Sequence, residues 1–447
     1  MTPPAAAHAM KRAALAARLR EGSGHVGLEK ETSNLFRARL ANAPRRLDVR
    51  EFREVLRIDP AAGFVEAEGM ISYQDLVREC LAHGVMPAVV PQLKTITLGG
   101  AVAGVGIEAS SHRYGLVHET VDELDVLAAD GRILECTPEN EHADLFFGFP
   151  NSYGTLGYAL RVKARAVPVR PYVRLEHLPF RRADLFFAEL ERRLRSADAD
   201  FIDGTVFGTE RLYLTLGRFA DSAPYASDYT YERIYYRSLR TRAEDYLGVH
   251  DYIWRWDTDW FWCSKNVYAQ NPLVRRLYGR DRLGSRTYTK IMRWNSRLGL
   301  TRALDRLRGL NSESVIQDVD IPLDRAGEFF EFYAREIGIW PQWICPIGPQ
   351  ANAARFPHYP MADGWYVNFG FWDVIRTREA HERGHYNRMI EEKVIALGGI
   401  KSLYSESFFP ESEFQRLYGG ETYARLKRTY DPEGVFPDVY EKCVLKR

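Results

Sequence analysis

The sequence predicts an α+β fold, and three observations carry that prediction. Residues 61–136 alternate strand-like and helix-like runs at short intervals, and the texture changes after a proline-punctuated stretch near residue 170. Strand, helix and strand patterns then recur in "VIQDVDIPLDRAGEFFEFYAREIGIWPQWICPI". A length of 447 residues exceeds one ordinary core and suggests roughly two to three domains.

The elements follow in order. "PAAAHAMKRAALAARLR" reads as an opening amphipathic helix that lacks the long apolar core of a signal peptide or membrane span. "GFVEAEGM" is strand-like. In "SYQDLVRECLAHG" the apolar residues fall at helical spacing, which predicts a helix Asp75–Ala82 with Ser72 as its cap and Gly84 as its stop. "VMPAVV" is a short buried strand, and "DELDVLAADGRILECT" is two strands joined at Asp130-Gly131. Further on, "GWYVNFGFW" begins another strand, and "MIEEKVIALGG" is a helix ended by glycine that leads into "IKSLYSESFF".

Composition narrows the function classes. Residues are 45% hydrophobic and 27% charged, with a formal net charge of +1, which argues against a nucleic-acid binder. The five cysteines form no C-x-x-C pair, so neither a disulfide framework nor a zinc knuckle is indicated, and a reducing cytoplasm is expected. No run of eighteen apolar residues occurs.

The segment "LGGAVAGVGIEASSHRYG" places Gly99, Gly100, Gly104 and Gly106 within eight positions after a buried strand. Such a stretch lets backbone run close against a flat or charged ligand; a tight corner in a sheet explains the glycines equally well. The spacing is neither G-x-G-x-x-G nor a phosphate loop, and no helical run is expected to follow at once.

This segment, with "VDELDVLAADGRILECT" and "DLFFGFPNSYGTLG", resembles the flavin-binding domain of the vanillyl-alcohol-oxidase-type flavoproteins. "VIQDVDIP", "WPQWICPI", "WYVNFGFW", "SLYSESFF" and "VFPDVYEKC" resemble the Δ24-sterol reductase branch in the same order, so that the likeness covers most of residues 65–445. It implies a two-lobed FAD-binding domain over 1–170, an α+β substrate (cap) domain over 171–410 and a segment 411–447 that packs back near the FAD domain. It further implies that Thr97, Gly99, Gly100, Gly104, Gly106, Ile107 and Glu108 line the flavin, that Ser110, Ser111 and His112 continue this wall, and that Gly154, Thr155 and Gly157 form a second loop. The pyrophosphate loop falls at Thr32, Ser33 and Asn34, which depart from the glycine-rich loop common elsewhere in the superfamily. His25 precedes that loop and the second site offers no cysteine, so non-covalent FAD is expected.

By the same resemblance the reaction is hydride exchange with flavin N5 at a carbon–carbon bond of a lipid. Bacterial flavoproteins of this type act on methyl- or methylene-branched acyl chains of phospholipids; a Δ24-sterol-like or small-alcohol substrate is the alternative. An electron donor or acceptor is then required, whether NADPH, oxygen or a redox protein. For proton handling, "KSLYSESFF" offers Tyr404 and Glu406, which point to one face if the segment is a strand, with Lys401 just before them; Glu108 is the other candidate. A solvated polar strand face is their ordinary reading.

Trp254, Trp256, Trp260 and Trp262 suit a hydrocarbon channel or plain core. Residues 275–308 carry eleven basic side chains against two acidic ones, which suits either a solvated face or peripheral docking on the inner surface of a membrane. "HERGH" at 381–385 matches H-E-x-x-H and would support zinc hydrolysis on a helix, but Gly384 weakens that helix and no metal is expected.

Overall fold

The computed structural model describes residues 4–30, 45–298, 305, 307–351 and 353–446. Its architecture is α+β, built on two large sheets in which every pairing is antiparallel. The first has six strands, all drawn from residues 55–168. Its long central strand Tyr158–Pro168 pairs with Phe64–Glu68, with Val121–Leu127 and, beyond the end of those two, with Val85–Pro87. The second has eight strands drawn from residues 172–401, in the order 244–248, 172–180, 212–220, 201–206, 342–347, 366–377, 311–322 and 400–401.

Local sequence explains the elements of the first sheet. Helix Tyr73–Ala82 starts where the Ser72 side chain accepts from the Asp75 N–H at 3.2 Å, and it ends before Gly84, whose φ of 73° needs no side chain. The turn after Val121–Leu127 passes through Gly131 at φ 77° and returns as Ile133–Cys136. The opening helix Pro4–Arg20 is held by His8 and Lys11 on Glu68 and by Arg12 on Asp125. Within the glycine segment a short helix Leu98–Ala103 does form, capped by the Thr97 hydroxyl on the Gly100 N–H, contrary to expectation.

The second sheet buries one face under three helices. Phe186, Leu190 and Leu194, then Phe329, Phe330 and Tyr333, then Ile390 and Val394 pack on Val315, Val319, Ile344 and Phe369. Strand alternation turns the next residues, Trp343 and Cys345, to the opposite face, where they join the core of the first sheet. Backbone contacts help fix the two halves together, among them Ile202 N–H on Ala109 O at 2.9 Å and Gly348 N–H on Ser111 O at 3.0 Å, with His112 against Ala199 O at 3.1 Å. The C-terminal helix Gly420–Tyr430 then returns to the first half, where the Tyr430 hydroxyl donates to Asp144.

One further expectation needs correction, and one motif finds its place. The chain after Lys401 is not a strand; Ile400–Lys401 pairs for two residues only, and 402–410 is irregular. In "HERGH", Gly384 is the N-cap of helix His385–Ala396 at φ 81°, so His381 precedes the helix and the two histidines do not share a helical face. No helix among the described residues is long and apolar enough to cross a membrane.

Candidate active site

Where the two sheets meet lies a cavity of about 960 Å³. One wall is backbone. Thr97, Gly99, Gly100, Gly104, Gly106, Ile107 and Glu108 line it, joined by Gly154 and Gly157. Several of these glycines thin the wall between cavity and sheet. A Cβ on Gly157 would lie 2.6 Å from Val126 and 2.7 Å from Leu127 O, and one on Gly106 would lie 2.7 Å from Pro91.

The facing wall is made of side chains. Trp260, Phe261, Trp343, Trp372, Asp318 and Tyr404 line it. Phe261 packs on Trp372 with ring centres 4.4 Å apart and on Trp343 at 5.5 Å. Strain concentrates here. Eight non-glycine residues among those described have positive φ, and four of them line the cavity: Val105 at 50°, Tyr153 at 53°, Trp260 at 42° and Phe261 at 57°. Such conformations cost of order 1–3 kcal/mol each and persist where packing enforces them.

Two buried polar clusters stand at the cavity. In the first, the Trp372 indole donates to the Tyr404 hydroxyl at 2.9 Å, and Tyr404 donates in turn to Asp318. Burial pushes the Asp318 carboxyl up to about 7 despite that bond, and neighbouring Asp320 adds to the effect; burial also holds the Tyr404 phenol far above its ordinary value. Asp320 is itself bonded by Tyr359 at 2.6 Å and Asn368 at 2.7 Å. In the second cluster the fully buried Arg255 spans Glu108 at 3.0 Å and Asp203 at 2.9 Å, while Gln92 donates to Glu108 and Trp343 to Asp203. Burial raises Glu108 to about 7, with Arg255 opposing and Asp203 reinforcing the shift.

The remaining residues singled out from sequence lie elsewhere. Ser110 donates to Ala88 O at 2.7 Å, the Ser111 hydroxyl accepts from the Glu108 N–H, and His112 sits between Ala109 O and Ala199 O; none of the three lines the cavity, because the chain has turned into the junction between sheets. Thr155 is buried and bonded to Ser152 O, also away from the cavity. Lys401 is buried against Glu391 at 2.6 Å, and Glu406 pairs with Arg383 and Lys446, so neither accompanies Tyr404 to the cavity wall. Thr32, Ser33 and Asn34 lie outside the described residues. His25 lines the cavity, and no cysteine does.

Asp318, Gln92 and Arg255 were not picked out from sequence. Asp318 and Asp320 sit two apart in an apolar strand, which places two carboxylates on one face, and that was the available signal. Arg255 carried none, lying inside an aromatic run that reads as core.

The cavity accommodates a flavin dinucleotide. Its volume is about 960 Å³, glycines form part of its lining, and two buried acceptors in its wall, Gln92 Oε1 and Asp318 Oδ1, have no hydrogen-bond partner among the described residues, which suits a ligand carrying N–H and O–H donors.

Comparisons with known proteins agree. Residues 33–137 match the family described as the FAD binding domain. The chain is 26% identical over 403 residues to the Delta(24)-sterol reductases of Mus musculus and Homo sapiens, covering 87% of this chain and 76% of each relative. It is 26% identical over 434 residues to that of Arabidopsis thaliana. Cytokinin dehydrogenase 6 of Oryza sativa subsp. japonica is 29% identical over 178 residues, or 39% of this chain and 33% of the relative. With a matching FAD binding domain whose glycine segment lines the cavity, and reductase relatives aligned along most of the chain, the protein is an FAD-dependent oxidoreductase.

Proposed function

We propose that the protein saturates an isolated carbon–carbon double bond in the apolar chain of a lipid. The observation that carries this reading is the Trp372–Tyr404–Asp318 array in an aromatic wall opposite the glycine wall. Addition across a double bond needs one hydride and one proton; bound reduced FAD supplies the hydride, and a side chain has to deliver the proton. Tyr404 holds a proton throughout the neutral range, and Asp318 titrates near 7, poised to resupply it. The Trp372 N–H on the phenol oxygen stabilises the charge that develops as the proton leaves. Trp260, Phe261 and Trp343 exclude water and hold the chain. Glu108, fixed by Arg255, is a positioning residue in this scheme.

Two substrate classes fit. The names of the Delta(24)-sterol reductase relatives support a sterol. Arg286, Lys290 and Arg293, which line the same cavity, support a methylene-branched acyl chain carried on an anionic phospholipid. Electrons would come from a reduced nicotinamide nucleotide or a redox protein, and the flavin is held non-covalently. The test is anaerobic: the reduced holoenzyme is mixed with a Δ24 sterol or with methylene-branched phosphatidylglycerol, and reoxidation of the flavin is followed by absorbance. One of the two should reoxidise it and yield the saturated product by mass spectrometry. Failure of both, or an unchanged rate in Tyr404→Phe, would sink the proposal.

A further inference from the structure

Nine large hydrophobic side chains are exposed among the described residues, and five of them fall within 268–307. Tyr268 is 77% exposed, Leu273 71%, Leu277 81% and Trp294 59%. The sequence between Tyr268 and Trp294 carries seven basic side chains and one acidic. Leu273 and Leu277 are four apart on helix Pro272–Tyr278, hence on one face, with exposed Arg276 beside them. Trp294 lies on helix Ser285–Leu298, where exposed Arg286 and Lys290 share a face with Arg293.

Both helices are pinned to the same segment. Arg275 points inward to Asp259 at 2.7 Å, and the Tyr278 hydroxyl donates to Val267 O. Ser285 bonds Asp257, and the Tyr288 hydroxyl donates to Thr258 O at 2.8 Å. That segment also supplies Trp260 and Phe261 to the cavity, whose lining includes Arg286, Thr289, Lys290 and Arg293. Helix 285–298 therefore carries exposed Trp294 and cations beside the residues it gives to the cavity, and helix 272–278 is anchored to the same segment. Among the described residues, Arg282, Arg286, Lys290 and Arg293 form no ion pair, although Arg276 and Arg280 pair with Glu232 and Asp228.

We infer that the helices 272–278 and 285–298 form a docking face for an anionic lipid bilayer, through which a membrane-resident substrate reaches the cavity. The inference rests on the lipid-substrate reading above. Basic side chains outnumber the acidic ones, Asp281 within the stretch and Glu232 and Asp228 paired to its edge, which matches the surface of an anionic leaflet, and a tryptophan suits the headgroup boundary. Scattered apolar residues on a monomer's surface need no partner, but this grouping does.

The holoenzyme is floated with vesicles of phosphatidylglycerol and phosphatidylcholine, and with phosphatidylcholine alone. It should bind the mixed vesicles, bind phosphatidylcholine far less, and release as salt shortens the screening length. Leu273→Glu combined with Leu277→Glu, and separately Trp294→Glu, should each weaken binding roughly tenfold or more. Flavin absorbance and turnover of a detergent-dispersed substrate should not change, since none of these three residues lines the cavity. Equal flotation on both vesicle types, no flotation at all, concentration-dependent self-association that the same substitutions abolish, or variants that float like the parent would each overturn the inference. Vesicle binding that persists while neither lipid reoxidises the flavin would defeat the substrate reading and leave the docking face standing.

Discussion

The two walls of the cavity are built from opposite materials. Thr97 to Glu108 with Gly154 and Gly157 presents backbone, contributed by two short stretches beside the first sheet; Trp260, Phe261, Asp318, Trp343, Trp372 and Tyr404 present side chains, gathered from distant parts of the chain. A backbone wall recognises what is invariant in a ligand, since its N–H and C=O groups do not depend on residue identity. A side-chain wall can change from protein to protein, and it holds the groups able to move a proton. The contrast explains why the cofactor is more readily identified than the substrate.

Substitutions should separate the walls. Gly157→Val should have the largest effect: at φ 137°, with Val126 and Leu127 within 2.7 Å of the new Cβ, it should cost about 3 kcal/mol or more and give protein without flavin absorbance. Tyr404→Phe should keep full flavin absorbance and lose roughly 100- to 10,000-fold in the rate of flavin reoxidation by substrate. If instead Tyr404→Phe emptied the flavin site, the division of labour between the walls would be wrong. Arg255→Met, which strands Glu108 and Asp203 without their cation, should destabilise the fold by about 3–5 kcal/mol in denaturant titrations.

Asp318 gives two smaller, pH-dependent effects. In the reductive direction, turnover should fall as pH rises through about 7, where its carboxyl loses the proton it resupplies, and Asp318→Asn should be slow without that limb. A rate that rises through 7 would assign the carboxylate as a base and the reaction as a desaturation. For stability, the raised value means that the folded form holds a proton the unfolded chain has released. The contribution is therefore fully present below about pH 4 and lost as pH rises to about 7. Asp318→Asn should be more stable than the parent by up to about 4 kcal/mol at pH 8 and lose that advantage toward pH 4, as thermal melts at both values would report.

What the sequence revealed follows the same divide. The helix read as Asp75–Ala82, the turn at Gly131 and the strand–helix–strand run over 315–347 were readable because caps, glycines and periodicity act within a few residues. The glycine wall was readable for that reason too. The side-chain wall was not, because Asp318, Trp343 and Trp372 meet through antiparallel pairings of strands 311–322, 342–347 and 366–377, and their register is set by tertiary packing. The expectation that Glu406 would share a face with Tyr404 failed for a local reason: strand alternation ends with the strand, and this one ends at Lys401. Lys401 had a buried partner, Glu391, ten residues earlier on helix His385–Ala396, which spacing alone did not indicate.

The Arg255 bridge has a mechanical consequence. Its guanidinium clasps Glu108, a residue of the glycine segment, and Asp203, a residue of the second sheet, so one buried cation rivets the two halves across the seam that encloses the flavin. Prising the halves apart would strip the arginine from both carboxylates and leave Glu108 with Gln92 and Asp203 with Trp343 as neutral donors only. The chain should therefore lose its cofactor and its tertiary structure in a single calorimetric event, and saturating FAD should move that event upward as one peak.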